Sequence, residues 1–126
     1  MLLAYPTNFG EAEGRIQAMH RAGFPGGVVV DPTPITAYDE ITVFYNGLLA
    51  QNGAEEVYLH IGFGDAQKWH NVQDLRMSRT GWGFVRTLEM PDESRFNFCF
   101  RDNANNWDNN NGLNWSYEIH NGQMRI

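Results

Sequence analysis

The sequence offers one cysteine, Cys99. A single thiol cannot close an internal disulfide, and no histidine or motif accompanies it as a nucleophile would require, so Cys99 reads as a structural thiol. Basic residues are few: nine Lys and Arg stand against fifteen Asp and Glu, giving a net charge of −6. Such a surface repels phosphates, which excludes nucleic acid as the natural partner. No apolar run approaches the roughly 20 residues that a membrane span needs, so no membrane is expected. Residues 1–9 do not read as a signal peptide, which leaves the compartment open. A nucleophile elbow, a phosphate loop, an HExxH helix and an internal repeat are all missing. A glycosidase would need paired carboxylates across a cleft. Asp65, Asp74, Glu89, Asp92, Glu93, Asp102 and Asp108 are expected in turns or near strand ends, with no sign of burial. The expectation is a protein that is not an enzyme, with no catalytic residue and no cofactor.

What is present is aromatic and β-patterned. At 126 residues with 13% aromatics and 13 glycines, the chain suits one β-rich domain with its own core. Its centre is the stretch 96–117, FNFCFRDNANNWDNNNGLNWSY. Phe96, Phe98 and Phe100 alternate with Asn97, Cys99 and Arg101, as in a strand with one face buried. Residues 102–114 then form a loop with seven Asn, two Asp and Trp107 at its middle. Beyond it, Trp115, Tyr117 and Ile119 alternate with Ser116 and Glu118, so a strand resumes over 114–120.

Further strands are expected at Val28-Val29-Val30, at Ile41 to Tyr45, at Val57 to Ile61 and at Trp82 to Met90. Residues 62–72 read as a flexible turn, and Asn121-Gly122 as a turn into an edge strand at 123–126. Short strands separated by turn clusters, without βαβ alternation, predict an all-β, two-sheet antiparallel sandwich. Residues 1–26 differ. Asn8 and Glu11 can form a capping box, Ala12, Ile16 and Met19 follow at helical spacing, and Gly23 and Pro25 end the run. They read as a short helix in an N-terminal extension, either a linker to a neighbouring domain or packed on the module itself, with the sandwich over 27–126.

In the strand Val57 to Ile61 the apolar residues share one face, so Tyr58 and His60 take the other. Trp69 lies among Lys68, His70 and Asn71, and Trp107 among amides, where an indole is hard to account for as core. Trp115 and Trp82 read as packing residues. Exposed Trp, a nearby His and a bank of Asn suit a neutral polyhydroxylated ligand. A sugar's flat apolar face desolvates against indole, and an amide both donates to and accepts from hydroxyls. Burying about 100 Å² per ring is worth ~2.5 kcal/mol. Two such rings and a few hydrogen bonds, less the cost of association, leave micromolar-to-millimolar affinity. Two other readings compete. The Asp/Asn loop has oxygen ligands for calcium, but Ala104 interrupts the EF-hand pattern and no Glu closes it, so a hairpin loop rich in Asx turns is favoured and no metal site is assigned. Exposed Trp also serves protein interfaces, so a protein-interaction sandwich is the stronger rival.

The segments ITVFYNGLL, EEVYLHIGFG, KWHNV, MSRTGWGF and FNFCFRDNANNWDNNNGLNWSYEI together resemble the starch-binding modules of carbohydrate-binding module family 25 and its close relative family 53. The resemblance spans residues 27–120. It implies an immunoglobulin-like β-sandwich that binds α-1,4-linked glucan (starch, glycogen or malto-oligosaccharide) without catalysis. The implied platform is His60, Trp69 and Trp107, with Asn109 and Asn110 as hydrogen-bonding neighbours. Such modules usually sit beside a carbohydrate-active enzyme domain, which implies such a domain as a partner, and an extracellular location if the parent protein is a secreted amylase.

Overall fold

The computed structural model describes residues 9–91 and 93–121, with side chains from Gly14 onward. The expected cap at Asn8, the turn across Asn121-Gly122 and the strand at 123–126 fall on residues outside that description. The chain opens with α1 (Phe9–Arg21), followed by a short 3-10 turn (Pro25–Gly27). The strands are β1 (Val28–Asp31), β2 (Ile35–Thr36), β3 (Glu40–Tyr45), β4 (Val57–Phe63), β5 (His70–Arg76), β6 (Ser78–Arg79), β7 (Phe84–Glu89), β8 (Phe96–Asp102), β9 (Trp107–Asp108), β10 (Trp115–Tyr117) and β11 (Ile119–His120). A single helical turn, α2 (Leu48–Gln51), follows β3.

Two antiparallel sheets make the sandwich. One has the order β1-β3-β7-β6; the other has β10-β8-β4-β5, with β9 also on β8. Their inner faces meet in an aromatic and aliphatic core, where Tyr45 of the first sheet stacks on Phe100 of the second with centroids 3.9 Å apart. Phe96, Phe98 and Phe100 are fully buried, as their alternation predicts, but the expectation of a single buried face fails, since Asn97 and Cys99 on the other face are buried too. Burial of these rings and their β-branched neighbours is the main favourable term in such a fold.

The outer faces are treated differently. On β3 the alternation is overridden: Phe44, which points away from the core face of Val43 and Tyr45, is only 2% exposed. The helix α1 covers that side, with Met19 buried and the His20 ring edge-on to Phe44 at 6.3 Å. An ion pair from Arg15 to Asp31 at 2.8 Å ties the helix to the end of β1. The helix ends at Arg21, and Gly23 supplies the left-handed conformation (φ +63°) that turns the chain away.

Several boundaries differ from the sequence expectation. Residues 62–72 are not one turn: Gly62 and Phe63 continue β4, and residues 70–72 begin β5. The strand β5 was illegible because it is an exposed edge; of its seven residues only Leu75 is even half-buried, so no apolar alternation marks it. The expected strand over 114–120 breaks at Glu118, because residues 119–120 leave β8 and pair in parallel with β2. Trp82 and Gly83 precede their strand and sit in a turn, where the Thr80 hydroxyl accepts both of their backbone N–H groups at 3.1 Å.

Candidate functional site

The outer face of the β4-β5-β8 sheet carries the candidate site. Strand β4 alternates buried Val57, Leu59 and Ile61 with half-buried Tyr58 and His60, so His60 stands on the face away from the core. Across the sheet it is flanked by Cys99 on β8 and Asp74 on β5. His60 Nδ1 and Asp74 Oδ1 are 2.5 Å apart in a hydrogen bond that fixes the imidazole ring. The other Asp74 oxygen accepts from Arg101 Nε at 3.0 Å. The Arg101 guanidinium lies 4.3 Å from the centroid of the Tyr58 ring, a cation–π contact, and the Tyr58 hydroxyl donates to Glu56 at 2.9 Å. Partial burial opposes ionisation of Asp74, but the bonds from His60 and Arg101 outweigh it and hold its carboxyl below the usual carboxylate range.

Trp69 reaches the same face from the turn between β4 and β5. The turn is tight: Asp65 accepts the Gln67 N–H through its carboxylate at 2.7 Å and the Lys68 N–H through its carbonyl at 2.9 Å. The indole Nε1–H donates to the Ala66 carbonyl at 2.9 Å, which leaves the ring edge satisfied. The ring lies directly on the backbone of Gly62, where a Cβ would come within 2.6 Å of Trp69 Cε3. Only glycine permits that approach. The His60 and Trp69 ring centroids are 5.8 Å apart, tilted by 36°.

Trp107 arrives from the opposite side, on β9, whose pairing with Phe100 and Arg101 lays it along β8. It is 46% exposed, with its centroid 5.2 Å from His60 and the planes at 90°. The loop that carries it is built by Asx geometry. Asp102 accepts from the N–H groups of Ala104 and Asn106 and from the Asn106 side chain, which together hold its carboxyl below the usual range. Past Trp107, Asp108 accepts from the core hydroxyl of Tyr45 at 2.6 Å, and Tyr45 in turn accepts the Leu49 N–H at 2.9 Å. Asn109 Oδ1 accepts from Gly112 N–H, and Asn110 Nδ2 donates to the Asn114 carbonyl. Asn105, Asn110, Asn111 and Asn114 have positive φ, the conformation that asparagine tolerates best after glycine.

The structure thus brings His60, Trp69 and Trp107 into one group. Asn109 and Asn110 follow Trp107 two and three residues on, with hydrogen bonds that run within their own loop. Trp115 is half-buried, stacked on Phe98 at 5.9 Å, and Trp82 is half-buried in its turn. The residues that sequence reading missed as members of the site are Asp74, expected in a turn or near a strand end and placed two residues before the end of β5, and Arg101, which shares its carboxylate. Recognising β5 as a strand was the signal needed to set Asp74 beside His60.

The sandwich gathers an exposed indole, Trp107, and a half-buried one, Trp69, around a fixed imidazole, an arrangement in keeping with a carbohydrate-binding kind of domain. Residues 41–98 match the family model described as starch/carbohydrate-binding module (family 53). The matched stretch contains His60 and Trp69 and ends before Trp107. Over 92 residues the chain is 33% identical to a protein named alpha-amylase from Clostridium acetobutylicum, an alignment that takes in 71% of this chain and 11% of that protein. Over residues 41–98 the chain thus matches a non-catalytic starch/carbohydrate-binding module, and it spans about a tenth of the length of the relative it resembles.

Proposed function

We propose that the module binds α-1,4-linked glucan by stacking glucose faces on Trp69 and Trp107, with His60 completing the platform between them and Asn109 and Asn110 meeting hydroxyls at its edge. One observation carries this reading: a single imidazole contacts both indoles, at 5.8 and 5.2 Å. Its plane makes 36° with one ring and 90° with the other, so the two indoles are not parallel. Inclined faces suit the bend of an α-1,4 chain and do not suit the flat ribbon of a β-1,4 chain. The motifs around His60, Trp69 and the WDNNNG loop also support the likeness to family 25. The similarity to an alpha-amylase supports a role in holding an attached or associated enzyme on starch or glycogen. The surroundings of Trp69 are exposed and mainly polar (Asp65, Gln67, Lys68 and His70), with Val72 on β5 the one large exposed aliphatic side chain close by in the chain.

Calorimetric titration with maltoheptaose, with a cello-oligosaccharide as control, tests the reading. Heat from the maltose series alone, lost in Trp69→Ala and in Trp107→Ala with unchanged circular dichroism, is the expected result. Retained binding in both variants would move the site elsewhere, with Trp82 next.

A further inference from the structure

Trp107 belongs to two surfaces. It meets His60, and it also lines a groove between α2 with its following turn and the 102–106 segment. The groove encloses about 570 Å³ and is lined by Leu48, Asn52, Asn103, Asn106 and Trp107, among others. That volume falls within the roughly 300–1,000 Å³ of small-molecule sites. Its chemistry repeats that of the platform. Leu48, 56% exposed, offers an apolar face, and the exposed Asn52 and Asn103 put amides on opposite walls. The Asp102 carboxylate at the base already accepts three hydrogen bonds from within the loop, so it anchors the wall rather than presenting an unmet charge.

We infer that this groove is a further glucan subsite, holding the sugar units that continue past Trp107 when the ligand is longer than the platform. The inference rests on the glucan-binding reading of His60, Trp69 and Trp107 and deepens it. Two features choose the occupant. Trp107 is shared between the platform and the groove, so a chain stacked on that indole ends beside the groove. Its lining is mainly amide and small apolar surface, which matches hydroxyls and C–H faces; its two carboxylates are Asp102, engaged within its own loop, and the exposed Glu55, and it holds no cation for an anionic ligand. The subsite therefore makes the module a reader of chain length.

The test compares maltotriose with maltoheptaose, by calorimetry on the full chain, for the wild type and for the double variant Asn52→Ala/Asn103→Ala. Both positions are exposed, and the unfolding midpoint checks that the variant folds. The wild type is expected to bind the longer sugar about tenfold more tightly, and the double variant to lose that advantage while maltotriose binding stays unchanged. Equal affinity for both lengths in the wild type, or a length advantage that survives in the double variant, overturns the subsite and leaves the platform standing. Absence of binding to either sugar in the wild type overturns the platform, and the subsite with it.

Discussion

The hydroxyl of Tyr45, a core residue of one sheet, donates a 2.6 Å hydrogen bond to Asp108 in the tryptophan-bearing loop of the other. The same oxygen accepts the Leu49 N–H, so a single buried atom joins the core, α2 and the residue next to Trp107. Tyr45→Phe keeps the stacking on Phe100 and deletes only that junction. It leaves the Leu49 N–H and one Asp108 oxygen without their partner, at a cost of about 1–3 kcal/mol. Denaturant unfolding should show this loss, and tryptophan fluorescence quenching should report a looser Trp107.

Alkaline titration probes the same bond. Burial, then the hydrogen bond to Asp108, pushes the Tyr45 phenol far above its ordinary value. A group raised in the folded state gives stability that is complete below its unfolded pKa of about 10 and is lost as pH rises beyond it. Tyr58 and Tyr117 are raised as well, so ultraviolet phenolate titration should show delayed ionisation with Tyr45 the last step, and Tyr45→Phe should remove that last step.

Gly62 is where the position of Trp69 can be changed without touching its chemistry. In Gly62→Ala the new methyl would lie within 2.6–2.7 Å of Trp69 Cε3 and Cβ, a separation that forces the ring to move. We expect glucan affinity to fall at least tenfold while Trp69 itself is still present. Calorimetry against maltoheptaose checks this, and unchanged affinity would mean that the orientation of Trp69 is immaterial to binding.

Asp74 supports the platform through charge. Its folded-state pKa is depressed, so its contribution is present above the unfolded value of about 3.9 and disappears as pH falls through the lower folded value. With about a third of its side chain exposed, that contribution is no more than ~1 kcal/mol. Unfolding free energies of wild type and Asp74→Asn should differ at neutral pH and converge in acid. Glucan binding by Asp74→Asn should weaken at neutral pH, because the His60 ring loses its partner.

Cys99 lies beside His60 in the sheet and yet is inaccessible. Burial, then the negative charges of Asp74 and Asp108, pushes its thiol up to about 12, so thiolate is scarce at neutral pH. Alkylation should be negligible in the native protein and complete in denaturant. Rapid native labelling would show that the cover over this part of β8 opens.

Alternation made the core strands readable. Phe96 to Phe100 and Val57 to Ile61 each show one apolar face, and a strand that must bury a face leaves that mark in sequence. The polar setting of Trp69 and Trp107 likewise singled them out, because an indole among amides and charges is not explained by packing. Strand β5 left no such mark, since an edge strand facing solvent on most of its length needs no apolar period. The helix α1 was legible as a helix, but not as the cover of Phe44, because helical spacing shows that a face is apolar without saying what it meets.

The residue types by themselves pointed to a β-sandwich and to the expectation of a neutral polyhydroxylated ligand: rings suited to apolar faces, amides suited to hydroxyls, and no charge pattern for phosphate. Proximity was decided by the fold alone. His60, Trp69 and Trp107 come from β4, from the turn after it and from a hairpin more than thirty residues later, and antiparallel pairing of β4 with both β5 and β8 is what sets them side by side. Register also placed Asp74 opposite His60, and packing across the sandwich put the Tyr45 hydroxyl under the loop. Both depend on contacts between residues far apart in the chain, which local pattern does not encode.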